Sequence, residues 1–181
     1  MANTRSRTVL LLVDFINHFK FPGADKLAPR AVRAARAAAR LKAEMTGDGC
    51  TCIYANDNFG EWRTEFSALV RSSLARDDAS GEIAALLEPG RRDLTVLKPR
   101  HSAFYGTPLE FILDELKTST LVIAGIAVDM CVLATAQDAH MRKYALHIPA
   151  NCSAGFNRAQ EVAALTAMAR TMKAVTAPHR T

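Results

Sequence analysis

No apolar run near the start of this chain is long enough to be a secretory signal core. The one stretch there, TVLLLVDF (8–15), carries an acid near its end and is followed by no small-residue cleavage site, so it reads as a strand and the protein is expected in the cytoplasm. Cysteine is sparse: Cys50, Cys52, Cys131 and Cys152 form no C-x-x-C pair and no zinc spacing, and a reducing compartment argues against disulfides. Glycine numbers only 9 and builds neither a phosphate-cradling loop nor a dinucleotide fingerprint, and no internal repeat occurs. Aromatics are 7% of residues, and no basic stripe is interleaved with them, although the net charge is +5. The positive residues sit instead in small groups: Arg5 and Arg7, then Arg30, Arg33, Arg36 and Arg40, then Arg91 and Arg92. The second group recurs every three or four residues, the pattern of one solvated helix face. Nucleic acid and membrane are therefore not expected partners.

What is present is an alternation. The β-rich runs TVLLLVD (8–14), CTCIYAN (50–56), DLTVLK (93–98), TLVIAG (120–125) and YALHIP (144–149) are separated by helical patterns at about 30–45, 107–117, 129–142 and 158–172. A parallel sheet covered on both faces follows, an α/β sandwich of five to six strands in a single domain over residues 1–181. KAVTAP (173–178) is the candidate sixth strand. Thr107, Pro108 and Glu110 make a capping-box start, and Asn157 with Gln160 a weaker one. The segment 59–92 is less regular, has helical pieces around EFSALVRS and SGEIAALLE, and is long enough to wall a pocket.

Ligands of open α/β sheets bind beyond the carboxyl ends of the strands. Those ends carry Asp14, then Asn56 and Asp57, then Lys98, then the segment from Gly125 to Cys131. Cys131 is expected in the first turn of a helix, where the dipole and Lys98 would both stabilise a thiolate. Asp14, ending an apolar strand, would be partly desolvated, with a raised pKa suited to accepting and returning a proton. Cys50 and Cys52 alternate along a strand and read as core. Cys152, in the loop after the fifth strand, is a second thiol on the crevice side. The histidines, His18, His101, His140, His147 and His179, show no local Cys-His pattern and read as surface or packing residues.

The pieces LLLVDFINHF, LKPRHSAFYGTPLEFIL and TLVIAGIAVDMCVLATAQDAHMRKYALHIPANCSA resemble the isochorismatase-like cysteine hydrolases, the superfamily of nicotinamidases and N-carbamoylsarcosine amidohydrolases. The resemblance runs from about Thr8 to Met172 and implies a three-layer α/β/α sandwich with a catalytic triad of Asp14, Lys98 and Cys131. It also implies a cis peptide between Ile126 and Ala127, and an oxyanion hole from the backbone N–H groups of Ala127 and Cys131. By the same likeness Asn17, Phe19, Trp62 and Tyr105 line the substrate pocket. The implied reaction is hydrolysis of a small-molecule amide or carbamoyl bond through a thioester, with Asp14 as the proton carrier.

Three departures from the family stand out. Nicotinamidase-type members hold a metal with an Asp-x-His pair after the second strand, whereas Asp57 here is followed by Asn58 and Phe59, and no histidine lies between His18 and His101. No metal and no cofactor are therefore expected, and nicotinamide is disfavoured as substrate. The usual Gln two residues after the first Asp is Ile16, and Val128 stands where Thr is common, so the pocket is expected to be less polar. Two other readings remain open at this level: isochorismatase-type vinyl-ether hydrolysis, against which Cys131 itself argues, and a thiol sensor or ligand-binding protein in which Cys152 resolves Cys131. The expected partners are a small-molecule substrate and further copies of the chain, as a dimer or larger homo-oligomer.

Overall fold

Residues 8–13 alternate neither with polar side chains nor with turns, and a strand of that composition is stable only when both faces are covered. In the computed structural model, which describes residues 7–63 and 65–180, that condition is met; Arg5 and both extreme ends of the expected 1–181 domain lie outside the described residues. Strand β1 (Thr8–Val13) is central, with β2 (Thr51–Asp57) and β3 (Leu94–Lys98) on one side and β4 (Thr120–Ile126) and β5 (Ala145–His147) on the other. The order is β3-β2-β1-β4-β5, all pairs are parallel, and a two-residue β6 (Ser153–Ala154) pairs with the end of β4. The sixth strand is thus not KAVTAP, in which only Val175 bridges to His147.

Successive side chains of a strand point to opposite faces, and that alternation builds two cores. Leu10, Leu12, Cys52, Tyr54, Val122 and Ala124 face α1 (Ala24–Gly47), α2 (Phe66–Leu74) and α3 (Ala79–Leu86). Val9, Leu11, Val13, Ile53, Leu121 and Ile123 face α4 (Leu109–Glu115), α5 (Leu133–Met141) and α6 (Arg158–Met172). This is the three-layer sandwich. No helix among the described residues is long and apolar enough to cross a membrane.

Local signals predict some helix ends well and others less so. Asn157 caps α6 by accepting from Gln160 N at 2.9 Å, and α6 spans the predicted residues. At α4 the capping box does not form: Thr107 Oγ1 accepts from Leu109 N and donates to Ala103 O, and Glu110 turns instead to Arg142 at 3.0 Å. Helix α1 begins at Ala24, earlier than predicted, because Gly23 in the left-handed region (φ 81°) starts it and Pro29 is carried inside. The expected helix from Asp129 is two pieces, a π-helical turn (Val128–Val132) running into α5.

The two helical layers are tied together by an ion pair. Arg30 of α1 donates to both oxygens of Glu161 of α6, at 3.0 and 2.6 Å, and Gly155 N donates to the same carboxylate at 3.0 Å. Burial works to raise the pKa of Glu161, but these hydrogen bonds and the charges of Arg30 and Arg158 outweigh it and the pKa is lowered. The stabilisation is therefore full above the ordinary glutamate range and is lost as pH falls through the lower folded value. Glu161→Gln is expected to cost about 1–3 kcal/mol at neutral pH, with the difference from wild type closing in acid. Urea denaturation at pH 7 and pH 3 measures it, and equal midpoints at pH 7 would refute the assignment.

Candidate active site

The register brings the strand ends level. Val13 lies beside Ala55 and Gly125, and Asp57 lies beside Lys98, so Asp14, Asp57, Lys98 and the start of the π-helical turn emerge on one edge. This edge is also where the strand order reverses, with β1 leading to β2 on one side and β4 on the other, the position at which α/β sheets open a crevice.

Asp14 leaves β1 in the left-handed region (φ 55°), a conformation aspartate tolerates better than most residues. Its backbone is held by Ala55 O and by Asn17 Nδ2, and its Oδ1 accepts from Asp57 N at 2.7 Å. Asn56 fixes the segment that follows, giving Ile16 O a donor at 2.7 Å and accepting from Ile16 N at 3.3 Å.

Lys98 is wholly buried, 0% exposed, and its Nζ has four acceptors around it. Asp14 Oδ2 is at 2.7 Å, Arg100 O at 3.1 Å, Cys131 Sγ at 3.6 Å and Asp57 Oδ2 at 3.8 Å. Burial favours a neutral amine, but the charge and hydrogen bond of Asp14, with Cys131 and Asp57, together outweigh it and the Lys98 pKa is raised, so the ammonium is kept. Burial raises the pKa of Asp14 even though the Lys98 ammonium opposes it, as the sequence leads one to expect.

Cys131 differs from expectation. It lies in the π-helical turn rather than in the first turn of an α-helix, and burial together with the neighbouring Asp14 carboxylate pushes its thiol up to about 12, against the pull of Lys98. The sulfur therefore holds its proton at neutral pH, and the Asp14 carboxyl group beside it is the base at hand. The nucleophile in such a site forms when the proton moves to the base during attack, not beforehand.

The Ile126–Ala127 peptide is cis. The Ala127 carbonyl takes the N–H groups of Met130 at 3.0 Å and Val132 at 3.2 Å, passing over that of Cys131 between them.

A cavity of about 400 Å³ opens over this edge, lined by Asp14, Asn17, Asp57, His101, Ala127 and Cys131 together with apolar side chains. A second, of about 730 Å³, adjoins it and includes Asn17 and Phe19 in its wall. Neither is lined by Trp62, 81% exposed, or Tyr105, also exposed, which within this chain stand apart from the pocket the sequence assigns them to. Asn17 is buried and holds Asp14 O and Phe19 N, so it shapes the wall as well as lining it.

His101 is exposed, as expected of a surface residue, but it also stands beside the candidate nucleophile, which the sequence does not show. Its Nδ1 lies 3.5 Å from Cys131 Sγ, and it lines the same cavity. The available signal was its place three residues after Lys98, beyond a strand end. Cys152, by contrast, is fully buried against α1, its thiol pushed up to about 12 by burial, and Cys50 is half-buried and Cys52 buried. Among the described residues no three His, Cys, Asp or Glu side chains come together in a way that would hold a metal ion.

Residues 8–179 match the isochorismatase domain. An uncharacterized isochorismatase family protein of Bacillus subtilis (strain 168), YaaI, is 34% identical over 165 residues, which are 91% of this chain and 90% of that one. The ureidoacrylate amidohydrolase RutB of Methylorubrum extorquens is 46% identical over 57 residues, 32% of this chain but only 22% of the relative. In fold, the chain is similar to the N-carbamoylsarcosine amidase from Thermoplasma acidophilum, with a TM-score of 0.74 at 24% identity over 94% of this chain and 95% of that one.

Proposed function

This chain belongs to the isochorismatase-domain family, and from that premise we propose that it is a cysteine-dependent, metal-independent hydrolase of an amide or carbamoyl C–N bond in a small molecule. One observation carries the reading: Lys98 Nζ stands between Asp14 Oδ2 at 2.7 Å and Cys131 Sγ at 3.6 Å at the edge of a cavity. The names of the relatives, amidohydrolase and amidase, agree with it. Asp57-Asn58-Phe59, where the nicotinamidase type carries Asp-x-His, supports a reaction without metal.

In this reading Cys131 Sγ attacks the carbonyl carbon as its proton passes to the Asp14 carboxylate. The carbonyl π electrons move to oxygen, and the oxyanion accepts hydrogen bonds from the N–H groups of Ala127 and Cys131. When the C–O double bond re-forms, the C–N bond breaks, and Asp14 returns the proton to the leaving nitrogen. Water then attacks the thioester while Asp14 takes one of its protons. The C–S bond breaks, the acid departs, and the sulfur recovers its proton. Lys98 stays an ammonium throughout and balances the charge that moves between Asp14 and Cys131, while His101 borders the thiol on its open side.

Ammonia release from a panel of primary amides and ureido compounds, with nicotinamide included, tests the reading. Wild type is expected to release ammonia from at least one compound, chelator is expected to leave the rate unchanged, and Cys131→Ala to lower it by about three orders of magnitude or more. Release that survives in the alanine variant would overturn the cysteine mechanism. Loss on chelation would overturn metal independence.

A further inference from the structure

The cavity beside Cys131 has an uneven charge. Asp14 and Asp57 both line it, whereas Lys98, whose ammonium answers them, is wholly buried behind Asp14 and does not line it. No lysine or arginine is among the lining residues; Asn17 and His101 add two polar side chains, and the rest of the wall is largely apolar, with Phe21, Leu27, Phe59, Ile126, Met130 and Phe156. Lys20 and Arg63 occur only in the adjoining cavity, where Glu61 and Glu65 accompany them.

An anion entering the first cavity would lose water to a largely apolar wall and stand near Asp14 and Asp57, while the lysine at hand, Lys98, already faces both of them. Each of these is unfavourable, and like charges brought together in a desolvated site are a strong device for rejecting a ligand. Ureidoacrylate and N-carbamoylsarcosine, named for the relatives above, carry a carboxylate a few bonds from the attacked carbonyl. Cys131 lines the cavity of about 400 Å³, and Lys20 and Arg63 line only its neighbour, so a carboxylate a few bonds from the attacked carbonyl starts among the residues of the first cavity.

We propose that this site selects amides with an uncharged, apolar substituent and rejects short amides and ureido compounds that bear a carboxylate. The substrate class rests on the amidohydrolase reading, but the charge selectivity of the cavity can be measured without turnover.

Iodoacetamide and iodoacetate deliver the same carbon to a thiol and differ in charge. The ratio of their alkylation rates at Cys131, read by peptide mapping, is compared with the ratio for N-acetylcysteine, which cancels thiol reactivity. The ratio at Cys131 is expected to favour iodoacetamide by at least about tenfold more than the free thiol does, and Asp57→Asn to narrow it. Ammonia release is then compared for succinamate and its methyl ester, with the ester expected to have the higher kcat/KM by on the order of a hundredfold. An alkylation ratio equal to that of the free thiol, or succinamate turned over as well as the ester, overturns the inference and leaves the amidohydrolase reading intact. A preserved alkylation ratio with no amide hydrolysed sinks the amidohydrolase reading, and the substrate class with it, while the cavity's preference for neutral ligands holds.

Discussion

Lys98→Met is expected to abolish amide hydrolysis and to lower stability by about 3–5 kcal/mol, because it strands buried carboxylate charge. The lysine is 0% exposed and meets Asp14 Oδ2 at 2.7 Å, and Asp57 Oδ2 is 3.8 Å from the same nitrogen. Methionine keeps much of the volume and removes the ammonium. Burial already raises the pKa of Asp14, and the Lys98 charge is the foremost influence opposing it. Without that charge the pKa rises further, so the carboxylate form needed to take the thiol proton is lost over more of the pH range. In any residual activity the acid limb of kcat/KM therefore moves to higher pH. The double variant Lys98→Met/Asp14→Asn separates the two effects: with no carboxylate at position 14 it is expected to regain part of the stability and none of the turnover. Urea denaturation and ammonia release on all three variants provide the measurement. A Lys98→Met protein that unfolds at the wild-type urea midpoint would show that the ion pair is not what holds Asp14 in the site.

Gly125→Ala is expected to have the second largest effect. Gly125 sits near the end of β4 with φ of 157°, and its N–H donates to Ser153 Oγ at 3.1 Å. A Cβ added there would lie 2.2 Å from Val13 O and 2.8 Å from Val13 Cβ, across the central β1–β4 pair. The first of those atoms is backbone, so relief requires the two strands to separate at the point where Asp14 follows Val13 and Ala127 follows Ile126. A cost of at least about 3 kcal/mol follows, a fall in Tm of roughly 6–12 °C for a chain of this size. Activity should fall further than the loss of folded protein explains, since a shift of about 1 Å between reacting groups can cost on the order of a hundredfold. Calorimetry and kcat measured well below the new Tm separate the two. A wild-type Tm would mean that the strands part at no cost, contrary to the packing described.

Much of the architecture was legible because it is written in short-range patterns. Leu10, Leu11 and Leu12 in an unbroken apolar run announce a strand covered on both faces. Asn157 announces the start of α6 because a cap acts on an N–H three residues away. Asp14, Lys98 and Cys131 could be placed near one another since each stands at or beyond the carboxyl end of a strand, and parallel strands end together. The motifs around them point to the family that the domain match then shows. The start at Thr107 failed for a reason no local rule contains: Glu110 has a better partner in Arg142, 32 residues away.

By itself, then, the sequence determined the layered α/β fold, its principal strands and the three side chains that the sheet's edge gathers. Only the tertiary structure decided that His101 borders Cys131, that Trp62 and Tyr105 stand apart from the cavity, that the last strand is Ser153–Ala154 rather than KAVTAP, and that the Cys131 thiol is pushed up rather than down. The physical reason is common to all four. Strand and cap signals act over a few residues, whereas desolvation, electrostatic pairing and the walls of a cavity depend on groups brought together from distant parts of the chain, and a thiol beside a buried carboxylate obeys its surroundings more than its helix.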